Sequence, residues 1–192
     1  MKDYNTSIKT PIGDETINTL NAGDILNISG KIFTARDAAH KRLAELIEAG
    51  KELPFDPVGH AVFYAGPAPA KPGRPIGSVG PTTAGRMDLY APLLISKGLK
   101  IMIGKGLRSR EVTEAIVNHG GIYFATIGGI AALMAKCVKS VSLLAFEELG
   151  TEAVRELVVE NLPVVVAIDS KGSNLYEKGR REYCRSEIFV CS

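Results

Sequence analysis

The stretch Ile25-Leu26-Asn27-Ile28-Ser29-Gly30-Lys31-Ile32-Phe33 decides the fold class. Its apolar residues alternate with period two, the period of a strand with one buried face. Thr34 is then expected to cap a helix whose apolar positions Ala39, Leu43, Leu46 and Ile47 share one face before Gly50 ends it. The unit is strand, turn, helix, and it recurs along the chain. Residues 60–65 read as a second strand. The glycine- and proline-rich stretch 66–81 reads as a loop with one short strand around 76–79. A loop that long in a compact domain is usually functional. Residues 83–97 read as a helix kinked or divided at Pro92 and stopped by Gly98. Strands follow at 99–103, 122–126, 141–145 and 164–168. Helices follow at 109–119, with Val112, Ala115 and Ile116 on one side, at 130–136 and at 151–161. Strands alternating with helices predict βαβ units, an α/β fold and a mainly parallel sheet. The strands before the first helix are expected to form a separate antiparallel layer.

The whole composition agrees with one globular domain over residues 1–192. Hydrophobic residues make up 45%, and 23 Lys+Arg against 21 Asp+Glu leave a formal charge of +2, which argues against a disordered or fibrous chain. Nucleic acid has no electrostatic footprint here. The one basic cluster, Lys178, Arg180, Arg181 and Arg185, reads as a solvated tail. The uncharged stretch 120–135 contains Gly120, Gly121, Gly128 and Gly129 and falls short of the ~20 apolar residues that span a bilayer. It reads as a buried strand running into a buried helix. The opening Met1-Lys2-Asp3-Tyr4-Asn5-Thr6 is polar and lacks the apolar core of a secretory signal, so a cytoplasmic protein is expected. Cys137, Cys184 and Cys191 form no C-x-x-C pair and are odd in number, which argues against a disulfide framework and for buried or idle thiols.

In a sheet of this kind, ligands bind beyond the carboxyl ends of the strands. The turns there carry Arg36, the run Gly80-Pro81-Thr82-Thr83-Ala84-Gly85-Arg86-Met87-Asp88, and Gly104-Lys105-Gly106. Three cations and a threonine pair would face one edge. A helix opening at Thr83 would add free N–H groups and a positive dipole end, with Gly80 and Gly85 letting the backbone approach a ligand. Two guanidinium forks and an ammonium suit carboxylates or a phosphate. The phosphate motifs fail. Gly98 is one residue too far from Gly104 for a G-x-x-x-x-G-K-[ST] loop, and Lys105 is followed by Gly106. The run Gly104-Lys105-Gly106-Leu107-Arg108-Ser109 misses the last glycine of a dinucleotide fingerprint. A carboxylate ligand survives. His40, His60 and His119 lack ligand spacing and read as core or surface groups. Asp169 ends an apolar strand and points either into the same site or into the turn that follows it.

The nine-residue run 80–88, followed by Tyr90 and Pro92 and then by Ile103-Gly104-Lys105-Gly106, resembles the hallmark of the β subunit or C-terminal domain of class I fumarases and L-tartrate dehydratases. Arg36-Asp37-Ala38-Ala39-His40-Lys41 resembles the same family's earlier motif. The resemblance covers essentially the whole chain. It implies a swivelling β/β/α domain, a mainly parallel sheet with an additional antiparallel layer. It also implies a [4Fe-4S] hydro-lyase whose cluster is held by cysteines of a partner α subunit and not by this chain, so that no metal ligand is expected here. The implied reaction is the reversible hydration of fumarate to (S)-malate, performed only with the α subunit in an α2β2-type assembly.

By position in the matching motifs, Arg36 and Arg86 would clamp substrate carboxylates, Lys105 would add charge, and Thr82 would remove the proton next to the hydroxyl-bearing carbon. Fixed cations suit the negative charge that develops there. A threonine hydroxyl is a poor base unless activated, and Lys105 or a group of the α subunit is the expected helper. Asp88 is either a hydrogen-bonding residue of the helix or an orienting group, and Thr83 is expected to cap the helix. The alternatives are an L-tartrate dehydratase β subunit, which no residue here separates from a fumarase, and a non-catalytic dicarboxylate-binding module.

Overall fold

A computed structural model describes residues 6–184 of the chain. In order, its elements are β1 (Ser7–Lys9), α1 (Asp14–Thr19), β2 (Ile25–Thr34), α2 (Asp37–Glu48), β3 (Ala61–Phe63), α3 (Ala91–Ser96), β4 (Ile101–Gly104), α4 (Arg110–His119), β5 (Ile122–Ala125), α5 (Ala131–Cys137), β6 (Val138–Ala145), β7 (Val154–Ile168) and α6 (Leu175–Tyr183). Short 3₁₀ turns lie at Ala84–Met87 and Glu147–Glu152.

The strands form one mixed sheet of seven. Strands β1 to β5 are successive parallel neighbours. β7 runs antiparallel, pairing with β5 on one side and with β2 on the other, and β6 flanks it. The ladder β2-β3-β4-β5-β7 therefore closes back on β2. Alternate residues supply two cores, as the two-residue period of a strand requires. Ile32, Phe63, Ile103, Phe124 and Leu157 enter one cluster. Phe33, Val62, Met102 and Tyr123 face the other way, against Leu43 of α2, Leu94 of α3 and Ile116 of α4.

Three sequence expectations are corrected. Residues 151–161 are not an α-helix: 151 and 152 end a 3₁₀ turn and β7 runs from Val154 onward, paired from Thr34↔Arg155 to Ile25↔Val165. The pairing partner on β2 overrides whatever helical tendency Glu156 and Leu157 contribute, and Val154, Val158 and Val159 suit the pleat. The antiparallel part of the sheet is therefore late, β6 and β7, whereas the early strand β1 lies parallel to β2. Helix α5 is not buried: Met134 alone of its residues is fully enclosed, and Leu133 is exposed.

Other boundaries shift for local reasons. Residues 83–97 split into the 3₁₀ turn and α3, with Pro92 in the first turn of α3 where its missing N–H costs nothing. Residues 76–79 form no strand; Ile76 and Val79 are core residues, and the loop is closed by the Ala68 N–H donating to the Ser78 carbonyl at 2.9 Å. α4 begins where expected, its Ser109 hydroxyl accepting from the Val112 N–H at 3.3 Å. Lys178, Arg180 and Arg181 lie exposed on α6 rather than on a tail, while Arg185 and Cys191 lie outside the described residues. Among the described residues, no helix is long and apolar enough to cross a membrane.

Candidate active site

Because β2, β3, β4 and β5 are parallel, their carboxyl ends share one edge of the sheet. The antiparallel β7 brings its own start, just after Glu152, to that same edge. Arg36 leaves β2 and Lys105 leaves β4 there. The Thr82-Thr83 segment is laid beside Lys105 as a short parallel bridge. The Thr82 N–H donates to the Tyr64 carbonyl at 2.7 Å, the Lys105 N–H to the Thr82 carbonyl at 3.3 Å, and the Ala84 N–H to the Lys105 carbonyl at 2.8 Å. Backbone bonds from two strand ends thus place Thr82 and Lys105 side by side. Thr82 is half-buried, and its hydroxyl makes no hydrogen bond within the described residues.

Arg36 and Arg86 meet through a carboxylate. Asp37, the first residue of α2, accepts from Arg86 Nε through Oδ1 at 2.6 Å, and its Oδ2 lies 3.7 Å from Arg36 Nη2. Arg36 Nη2 also pairs with Glu152 Oε1 at 3.3 Å. The second oxygen of Glu152 accepts from the Ala38 N–H at 3.0 Å, satisfying a free donor in the first turn of α2. Arg36 lies so close to Gly66 that a Cβ there would stand 3.0 Å from its Cδ and Nη1. Arg36 Nε is buried without a hydrogen-bond partner among the described residues.

Lys105 has no ion pair among the described residues, and its Nζ would stand 3.6 Å from a Cβ at Gly128 in the loop after β5. The peptide after it is pinned by two phenols: the Gly106 N–H donates to Tyr176 Oη at 3.1 Å, and Tyr123 Oη donates to the Gly106 carbonyl at 3.0 Å. The four residues Arg36, Thr82, Arg86 and Lys105 therefore share one sheet edge, in two linked pairs.

Several expectations about this edge change. Thr34 does not cap α2; it ends β2, buried, with an unpartnered hydroxyl, and Arg36 occupies the cap position. Thr83 makes no side-chain cap, because the element it precedes is a four-residue 3₁₀ turn whose first N–H is already spent on Lys105. The helix-dipole contribution expected at Thr83 is therefore absent. Gly80 serves packing, since a Cβ there would come within 2.8 Å of the Ala131 Cβ. Asp88 is a structural partner, accepting from Arg108 Nε at 2.7 Å and from the Ser109 N–H at 2.5 Å. Asp169 belongs to its turn: it accepts from the N–H groups of Ala22, Lys171 and Ser173 at the far end of β7. The sequence does not single out Asp37, which looks like an ordinary helix-start carboxylate, or Glu152, which falls in the stretch expected to be helix.

The described residues contain no group of three or more His, Cys, Asp or Glu side chains placed to hold a metal ion. Cys137 is half-buried with Sγ 3.6 Å from the Asn161 carbonyl, and Cys184 is exposed. His40 is a core residue, its Nδ1 3.0 Å from the Arg36 carbonyl and its ring edge-on to Tyr64.

The family described as Fumarase C-terminus matches residues 2–179. The chain belongs to this family. Among relatives of the fumarase C-terminal family, the class I anaerobic fumarate hydratase of Escherichia coli (strain K12) is 46% identical over 161 residues, 83% of this chain and 29% of the relative. Fumarate hydratase 1, mitochondrial, of Leishmania major is 46% identical over 155 residues, 80% of this chain and 28% of the relative. A protein of Methanocaldococcus jannaschii named as an L(+)-tartrate dehydratase subunit beta is 39% identical over 168 residues, covering 84% of this chain and 86% of the relative. The chain thus spans under a third of the fumarate hydratases it matches and most of the subunit. The names of these relatives, fumarate hydratase and tartrate dehydratase, are those of hydro-lyases.

Proposed function

We propose that this chain, as a single fumarase-type β domain with the swivelling β/β/α arrangement over residues 1–192, is the β subunit of a cytoplasmic [4Fe-4S] hydro-lyase that reversibly hydrates fumarate to (S)-malate. One observation carries the reading: in a chain of the fumarase C-terminal family, Arg36, the run holding Thr82 and Arg86, and Lys105 come to one sheet edge from three separate stretches of sequence. The described residues offer no thiolate set for a cluster, and on this reading a partner α subunit holds it in an α2β2-type assembly.

On this reading, each group has a task its chemistry suits. The guanidinium planes of Arg36 and Arg86 bind the two substrate carboxylates, and fixing both ends leaves the substrate one orientation. Lys105, with no carboxylate among the described residues to neutralise it, stabilises the negative charge that spreads onto a substrate carboxylate as the neighbouring carbon loses its proton. Thr82 Oγ1 moves that proton. A threonine hydroxyl needs an activator for this, and the adjacent Lys105 or a group of the partner supplies it.

A second reading is favoured by one observation, the near full-length match to the protein named as a tartrate dehydratase beta subunit. Assembly with the α subunit under anaerobic conditions, followed by the ultraviolet absorbance of fumarate and by assay of L-tartrate dehydration, decides between them. Fumarate hydration supports the first reading and tartrate dehydration the second. Binding of both acids without turnover returns the chain to a dicarboxylate-binding module.

A further inference from the structure

The carboxylate between the two clamp arginines has no assigned task. Asp37 touches both: its Oδ1 takes the Arg86 Nε hydrogen, and its Oδ2 lies 3.7 Å from Arg36 Nη2, buried and without a hydrogen-bond partner among the described residues. We propose that Asp37 is a positioning residue for the reaction, tying Arg86 to Arg36 so that both guanidinium groups meet a dicarboxylate as one preset platform. The inference rests on the reading of Arg36 and Arg86 as the carboxylate clamp.

Three features support it. Arg86 is half-exposed on a four-residue turn, so without a tether its long side chain samples many rotamers, and binding must pay for ordering it. The tether uses Nε alone, which leaves the terminal Nη hydrogens, the end-on fork that suits a planar carboxylate, for a ligand. Two guanidinium groups directed at one site also repel each other, and a carboxylate between them offsets that repulsion before substrate arrives. Asp37 is itself fixed. It is the first residue of α2, a helix twelve residues long whose opening turn is held by Glu152 through the Ala38 N–H. Glu152 acts on Arg36 in the same sense, through its other oxygen.

A positioning role differs from two rivals in its kinetic signature. A merely structural residue lowers the amount of active enzyme, and so kcat, without moving KM. A carboxylate that competes with substrate for the arginines lowers KM when removed. The test is made in the assembled enzyme, with fumarate, or with L-tartrate where that is the acid turned over. Asp37→Asn is expected to raise KM ~10-fold and leave kcat within ~3-fold, with Asp37→Glu between it and the wild type. Arg86→Lys is expected to raise KM by itself, and in that background Asp37→Asn is expected to add less than ~2-fold, because the two residues act as one unit. An unchanged or lowered KM in Asp37→Asn, or full additivity with Arg86→Lys, overturns the proposal while leaving the clamp reading intact. A wild-type KM in Arg86→Lys overturns both. Should Asp37→Asn fail to assemble, Asp37→Glu decides alone: a raised KM with kcat retained supports the role, and a wild-type KM refutes it.

Discussion

Asp88 and Arg108 form an ion pair at 2.7 Å in which the arginine side chain is fully buried, lying 5.2 Å over the Tyr64 ring and 5.0 Å over the Tyr123 ring. Asp88 also holds the Ser109 N–H at the start of α4, so this one carboxylate joins the turn carrying Arg86 to the helix that covers the outer core.

Removing one member of a buried pair leaves the other charged and unpaired, which costs about 3–5 kcal/mol. Arg108 Nη2 already lacks a hydrogen-bond partner among the described residues, and none of them offers a spare acceptor to take over. Asp88→Ala is expected to lose stability of that order in urea denaturation of the purified chain. Asp88→Asn, which keeps an acceptor oxygen, is expected to lose less. A stability change in Asp88→Ala within about 0.5 kcal/mol, the range of ordinary surface substitutions, refutes this account.

His40 predicts a pH dependence with a definite sign. Burial holds its imidazolium form down to a pKa of about 4, against an ordinary 6.5, with the Arg36 carbonyl acting in the opposite direction and the Arg108 charge adding to the depression. The unfolded chain therefore takes up a proton near pH 6.5 that the folded chain refuses until about pH 4. The stability that neutral His40 contributes is complete above pH 6.5 and is lost as the pH falls. The loss reaches about 2 kcal/mol by pH 5. Denaturant midpoints at pH 7.5 and pH 5 measure it, with His40→Gln as the control: the variant is less stable at pH 7.5 but is expected to lose about 2 kcal/mol less between the two pH values. Equal losses in both proteins refute the assignment.

The parallel part of the sheet was legible because strand and helix alternate in period from residue 25 to residue 126, and the site residues fall at the strand ends where such a sheet must present them. That rule and the family resemblance together point to the Thr82–Arg86 run and Lys105, which the structure brings to one edge. The late antiparallel strands were not legible. Val154 to Ile168 is a fifteen-residue strand whose pairing with Ile25 to Thr34 crosses more than a hundred residues of sequence, and the local signal of Val154, Val158 and Val159 is offset by the helix-favouring Glu156 and Leu157 between them. Glu152 was lost with it, because only the closure of β7 onto β2 carries that carboxylate to Arg36. Asp37 was visible but unassigned, since a bridge to Arg86 spans forty-nine positions and is a property of the folded edge. Thr83 shows the converse error: a good capping residue was read into a place where the backbone forms a bridge to Lys105.

The contrast between Thr82 and Thr83 tests the chemistry most directly. Thr82 is half-buried, fixed by backbone bonds to Tyr64 and Lys105, with its hydroxyl unspent, whereas Thr83 is exposed and caps nothing. If Thr82 carries the proton, Thr82→Ala removes an interaction used in the transition state and lowers kcat of the assembled enzyme by ~10²-fold or more, leaving KM within a small factor. Thr82→Ser keeps the hydroxyl without the methyl that helps hold its rotamer, and is expected to retain part of the rate. Thr83→Ala is expected to change stability by no more than about 0.5 kcal/mol, as an exposed residue without a cap bond should, and to leave kcat near the wild-type value. A Thr82→Ala enzyme with wild-type kcat refutes Thr82 as the proton carrier. If Thr83→Ala is then the variant that loses activity, the reacting hydroxyl is Thr83. If both threonines are dispensable, the base belongs to the partner subunit, and this chain's part in the reaction narrows to the cationic edge formed by Arg36, Arg86 and Lys105.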